Sequence, residues 1–220
     1  MKKTILATIF SVFYLTSVSA DVGVNVGFSG QVGIFAASGT ENVAGTGTGT
    51  RSHNGSEHGE AGWGSVFIEK TLGSRLAIGV DYVPGALETE TTESVRYDKT
   101  TTDTRTAKEN TVQVDFDELT TLYLTAKLND NLYIKAGMME VDVITNESLA
   151  TGSTYGNTSL DGTMLGIGYN NTFDNGLFIR AEGNYMDFDG ASLTSSANSN
   201  EVKIDQLHGV SAKLSVGKSF

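Results

Sequence analysis

From Asp21 to Ala36 the chain alternates, residue by residue, between two chemistries. Val22, Val24, Val26, Phe28, Val32, Ile34 and Ala36 share one parity, and Gly23, Asn25, Gly27, Ser29, Gln31 and Gly33 share the other. A period of two belongs to an extended strand, whose side chains point to opposite faces, so this segment builds a strand with one oily and one small or polar face. The pattern returns about seven more times. After the first twenty residues every apolar stretch is broken within a few positions by Gly, Asn, Thr or a charge, which leaves no segment able to cross a bilayer as a helix. A membrane crossing by this chain must therefore use strands, and those strands must close on themselves, because hydrocarbon offers no partner to an unpaired backbone group.

The second strand is expected over about Gly62 to Thr71, with an ambiguous register because Trp63 and Phe67 oppose Val66 and Ile68. The third runs from Arg75 to Pro84 with Leu76, Ile78, Val80 and Tyr82 on one side; the fourth covers about Thr111 to Leu128; the fifth carries Leu132, Ile134, Ala136 and Met138. The sixth spans about Leu160 to Phe173, the seventh sets Leu177, Ile179, Ala181 and Tyr185 on one face, and the eighth covers about Lys203 to Ser219. Tight turns near 72–74, 129–131 and 174–176 alternate with long polar loops near 37–61, 85–110, 144–159 and 189–203. Asn175-Gly176 is a strong hairpin turn, since it readily supplies positive φ. Strict alternation of short and long connections predicts an up-and-down meander with an even number of strands.

Residues 1–20 read as a secretory signal peptide: Lys2 and Lys3, an apolar run from Ile5 to Val18, and a small-residue end at Ala20. The expected folded unit is one domain, 21–220. It contains no Cys, so an exported chain of this kind gains nothing from disulfides. The formal net charge of −11 is the wrong sign for nucleic-acid phosphates, which rules nucleic acid out as an expected partner. A soluble β-sandwich also has alternating strands, but the leader, the alternating loop lengths and the aromatic last residue favour a barrel. The expected fold is all-β: an eight-stranded antiparallel transmembrane up-and-down β-barrel, acting as a monomer.

The closing segment Val210-Ser211-Ala212-Lys213-Leu214-Ser215-Val216-Gly217-Lys218-Ser219-Phe220 keeps its apolar face on even positions and ends on an aromatic residue. Residues 21–220 resemble in layout the small eight-stranded outer-membrane barrels of the OmpA transmembrane-domain and OmpX type. The resemblance implies a bacterial outer-membrane location among outer-membrane lipids, short periplasmic turns, and a carboxy-terminal signal read by the barrel-assembly machinery through Phe220. Such signals usually carry a second aromatic two places earlier, where this chain has Lys218. With nothing after Phe220, the expectation is a barrel without a peptidoglycan-binding domain.

With the apolar parity turned to lipid, the lumen is expected to receive Glu69, Asp81, Asp115, Asp117, Lys127, Lys135, Arg180, Glu182 and Lys213. Side chains fill an eight-stranded barrel, and opposite charges there pair to offset desolvation. This predicts a plug of ion pairs centred on Arg180, Glu182, Lys135 and Glu69. The expected role is structural or one of surface interaction, as adhesin or receptor, with a narrow gated porin as the alternative. Trp63, Tyr82, Tyr133, Tyr169, Phe173, Tyr185 and Phe220 are candidates for interfacial girdles or for the lumen.

No catalytic residue, cofactor or metal site is expected. His208 and Ser211 fall on opposite faces of one strand. His53, Glu57, His58 and Glu60 are adequate ligand types without fixed geometry, and the Gly45–Thr50 repeat lacks the Lys of a phosphate loop. The Thr- and Glu-rich stretch around Glu88, Glu93 and Glu109 carries no binding motif.

Overall fold

The computed structural model describes residues 23–44, 50–89, 91–99, 105–149 and 152–220. The expected leader, residues 1–20, and most of the Gly-Thr repeat lie outside the described residues. Eleven strands are described: β1 (Val24–Ala44), β2 (Thr50–Leu72), β3 (Leu76–Tyr82), β4 (Leu87–Glu88), β5 (Thr92–Lys99), β6 (Arg105–Lys127), β7 (Leu132–Ser148), β8 (Thr158–Thr172), β9 (Leu177–Phe188), β10 (Ala191–Thr194) and β11 (Glu201–Ser219). Eight of them form a closed antiparallel ring in the order β1-β2-β3-β6-β7-β8-β9-β11, and β11 returns to pair with β1 from Asn25↔Ser219 to Asn42↔Glu201. The short β4 and β5 pair with β6, and β10 with β11.

Closure brings the start of β1 and the end of β11 to one rim, where Val24 and Phe220 exchange backbone hydrogen bonds of 3.2 and 2.9 Å. The three tight turns share that rim. Gly73 (φ 73°) and Gly176 (φ 80°) occupy the left-handed region that a side chain disfavours. At the middle turn the Asn129 carboxamide accepts from the backbone of Asn131 and Leu132 at 2.9 and 2.8 Å.

The opposite end is far more ordered than a set of polar loops. The expected loop 37–61 is mostly strand: β1 and β2 stay paired from Val24↔Lys70 up to Ala44↔Thr50 and rise from the wall as a ribbon, with β11 holding the far side of β1 as far as Asn42↔Glu201. Residues 52–60 of this ribbon are exposed on both faces, which is why their sequence shows no alternation. The expected loop 85–110 likewise contains β4 and β5, and 189–203 contains β10.

Outside, the wall is apolar over a band about nine residues high, for instance from Leu177 through Ile179 to Tyr185 on β9, a length suited to a tilted strand crossing hydrocarbon. Phe28, Val32, Leu165, Ile167, Leu214 and Val216 are all more than half exposed on this belt, which therefore needs lipid to cover it. Above it the outward positions turn acidic at Glu60, Glu140, Asp161 and Asp187.

The inward positions change in the opposite sense. Toward the rim of the termini the lumen holds charges and hydroxyls. Toward the loop end it holds an apolar cluster of Trp63, Leu119, Met139, Met164, Met186, Val141, Val143, Leu160, Phe188 and Leu207. The loop-end half is thus built like a soluble barrel, oily inside and charged outside. The expectation of a polar lumen along its whole length is corrected accordingly.

Two aromatics weighed for the membrane girdle, Trp63 and Tyr133, are buried in the lumen at 6% and 5% exposure. This also settles the register of β2: Trp63, Ser65, Phe67 and Glu69 point in, Val66 and Ile68 point out. Tyr82, Tyr169, Phe173, Tyr185 and Phe220 are outside.

Candidate functional site

The lumen layer nearest the tight turns is built from six charges on five strands. Glu69 (β2) accepts from Arg180 (β9) through both guanidinium arms, Nη2 to Oε1 at 2.8 Å and Nη1 to Oε2 at 3.0 Å, a bidentate geometry suited to a planar pair. Asn25 donates to the same carboxylate at 2.7 Å, and Arg180 Nε donates to Asn170 Oδ1 at 2.9 Å. Lys135 (β7) lies 3.3 Å from Glu182 Oε1 on β9, which also accepts from the Tyr133 hydroxyl at 2.9 Å. Lys213 (β11) pairs with Asp81 (β3) and reaches Ser65 Oγ at 3.4 Å.

Aromatic faces complete the enclosure. The Lys135 ammonium stands 4.0 Å from the Tyr123 ring centre, and the Arg180 guanidinium 4.5 Å from that of Phe178. Three cations and three carboxylates balance, so the layer is neutral as well as buried. In a narrow interior that balance is what makes ionised groups tolerable.

Each ring rests on a glycine of the neighbouring strand. A Cβ on Gly79 would fall 2.4 Å from Tyr123, one on Gly168 2.3 Å from Tyr133, and one on Gly217 2.4 Å from Phe178. The inward glycines are therefore the seats of the aromatic side chains.

Below the Arg180–Glu69 pair a vestibule of about 120 Å³ opens at the rim of the termini, bordered by Asn25, Thr71, Arg75, Lys127, Tyr133 and Asn170. Above the ion pairs a second cavity, of about 20 Å³, touches Lys135, Lys213, Trp63 and the methionines. Space of that size admits about one water, so these two cavities do not amount to an open pore.

Of the residues expected in the network, Glu69, Asp81, Lys135, Arg180, Glu182 and Lys213 are brought together. Lys127 is not: it sits exposed at the mouth, where its ammonium is solvated and needs no partner. Asp115 and Asp117 are corrected as well. A bulge between Asp117 and Thr120, with Glu118 at φ 54°, inserts one residue into β6 and reverses the facing of everything before it. The Asp117 side chain accepts from the Glu118 N–H at 2.9 Å to hold this kink. As a result Phe116 packs inside, while Asp115 faces out and accepts from Asn146 at 2.8 Å.

The polar loop expected at 37–61 is instead a strand pair with one open edge. One edge of β2 is bonded to β1 along its length, and β3 covers the other edge only from Val66 to Leu72. Among the described residues nothing pairs with that second edge from 50 to 65. Thr71 N–H donates to Gly23 at 2.9 Å, so odd positions of β2 bond to β1 and even positions present their N–H and C=O to the open side. Ser56, His58 and Glu60 belong to the open set. His53 and His58 occupy opposite faces, and among the described residues no three His, Cys, Asp or Glu side chains converge on a metal position. His208 lies outward beside the Tyr185 ring, whereas Ser211 is buried in the lumen.

No family model matches the sequence, and no curated protein matches it. Among solved structures, similarity is found to the outer membrane protein OprG from Pseudomonas aeruginosa (13% identity, TM-score 0.47, covering 89% of this chain and 95% of that one). It is also found to the outer membrane protease OmpT from Escherichia coli (9%, 0.48, 94% and 99%) and to Ail of Yersinia pestis (12%, 0.39, 87% and 99%). At these identities neither the lumen pairs nor the ribbon can be carried across from them. The chain itself is all-β, an antiparallel barrel of outer-membrane type.

Proposed function

We propose that this protein is a monomeric barrel of the bacterial outer membrane, set among outer-membrane lipids, with a closed lumen and a surface-interaction role. The rim with the termini faces the periplasm, and the β1–β2 ribbon stands outside the cell. Phe220, outward at the end of β11, is the residue presented to the barrel-assembly machinery during insertion. The observation that carries this reading is the open edge of β2. Native edges are usually blunted by Pro, Lys or a bulge, and residues 50–65 contain no Pro and no Lys and pair with β1 in unbroken register. Such an edge suits an extended strand of a partner protein, which would add itself through backbone hydrogen bonds.

The test compares cells displaying Ser56→Pro with cells displaying Glu57→Pro and with cells lacking the protein, scored for attachment to other cells and for phage adsorption. Ser56→Pro removes an open-edge donor and leaves the bonds to β1 in place. The expected result is loss of attachment or adsorption in Ser56→Pro with the heat-dependent gel shift of the folded barrel retained. Unchanged attachment and adsorption in cells lacking the protein would end the proposal.

The vestibule beneath Arg180 favours a second reading, a narrow gated porin. It requires both the ion pairs and the apolar layer above them to part. Planar-bilayer recording of the purified protein tests it, and absence of discrete conductance steps across salt and voltage would dismiss it.

A further inference from the structure

Where the ion pairs meet the apolar layer, the cavity of about 20 Å³ is bounded by Trp63, Asn184, Gln31, Thr121 and the Met139, Met164 and Met186 side chains. Two deeply buried polar atoms among these residues have no hydrogen-bond partner in the protein: Trp63 Nε1 and Asn184 Oδ1. Their residues are 6% and 5% exposed. Asn184 is held in place by Gly166, where a Cβ would fall 2.3 Å from that oxygen.

These two atoms define an occupant. An indole N–H only donates and an amide oxygen only accepts, so one molecule serving both must accept one hydrogen bond and donate another. The charge of the layer is already balanced, which selects against an ion. The space matches the roughly 10–15 Å³ that a single water needs and excludes an organic solute. We infer that the cavity is a binding site for one water molecule, held between Trp63 Nε1 on β2 and Asn184 Oδ1 on β9.

The position of this site gives it a role. Lys135 and Lys213 border the same cavity, so the water sits against two of the three ion pairs. Above it, the three methionines and Leu119 offer only weak or no polar partners. Exchange with bulk water proceeds from the periplasmic side, and each exchange event requires the Lys135–Glu182 or Lys213–Asp81 pair to part. The site is the inner end of a one-sided water path, and its exchange rate reports opening of the plug.

Trp63 is the single tryptophan of the chain, so its indole N–H gives one resonance. In the full barrel refolded in zwitterionic micelles, a water cross-peak to this proton is expected. Asn184→Leu is expected to abolish it and to move the proton upfield. The proton's shift is expected to stay fixed when chloride is replaced by bromide. Absence of the cross-peak in the unaltered protein, its survival in Asn184→Leu, or a halide-dependent shift that marks an anion would each overturn the inference. The cross-peak and the halide exchange decide the matter without any variant.

Discussion

Replacing Glu69 by glutamine takes one charge out of the bidentate pair of the lumen while leaving its shape. The Glu69 side chain is 2% exposed and that of Arg180 11%, with charge-assisted bonds of 2.8 and 3.0 Å between them. Breaking a buried pair by removing one partner costs about 3–5 kcal/mol, mostly the penalty on the charge left behind. In this barrel the orphaned guanidinium keeps Asn170 at 2.9 Å and the Phe178 face at 4.5 Å, and the vestibule gives water access to it. The loss therefore belongs at the lower end, about 3 kcal/mol, or roughly a hundredfold in the ratio of folded to unfolded chain.

Arg180→Met is expected to cost a similar amount, because Glu69 then keeps only Asn25. The double variant is expected to cost little more than either single one, a coupling of about 2–3 kcal/mol. Reversible urea unfolding from lipid vesicles, followed by Trp63 fluorescence, measures all three. Single variants within about 0.5 kcal/mol of the parent, the range of inert surface changes, or strictly additive losses, would refute the claim that this pair is buried and coupled.

The glycine seats make a sharper steric prediction. Gly168→Ala forces the Tyr133 ring from a contact of 2.3 Å and with it the hydroxyl bonded to Glu182, an overpacking cost of about 1–3 kcal/mol in the same unfolding assay. At the loop end, the Ser192 hydroxyl first, then the Asn42 amide and Lys203, hold the Glu201 carboxyl below its ordinary value of 4.5. A lowered folded value means stabilisation that is present above pH 4.5 and is lost as pH falls through the lower value, so the hydrogen-exchange protection factors at 191–194 should fall in acid and Glu201→Gln should flatten that dependence. Phe220 is 72% exposed and fills no core, so Phe220→Ser should slow insertion in cells while leaving the unfolding midpoint of the refolded protein unchanged.

The membrane belt was legible because lipid and lumen impose opposite chemistries on neighbouring residues, and Leu76, Ile78 and Val80 or Val210, Ala212 and Leu214 record that directly. The ion pairs followed from parity: Glu69, Asp81, Lys135, Arg180, Glu182 and Lys213 all fall on inward positions. The reach of that rule ends where the solvent changes. In β6 the apolar residues Val114, Phe116, Leu122 and Leu124 all have even numbers, yet Phe116 points in and Leu124 points out. The inversion of polarity above the belt and the extra residue of the bulge cancel, so the sequence pattern runs through both without a break. The ribbon was illegible for a simpler reason: with both faces in water, residues 52–60 have no cause to alternate.

The reversal of polarity partway up the wall also fixes the height at which the molecule floats. Sliding the barrel toward its tight-turn rim by one pair of residues per strand, roughly 6–7 Å, would draw Glu60, Glu140, Asp161 and Asp187 into hydrocarbon. Sliding it outward would leave Leu165, Ile167, Tyr185 and Val210 in water. The two penalties rise on either side of a single depth, like the waterline of a ballasted hull. That depth sets how far the ribbon stands clear of the surrounding lipid.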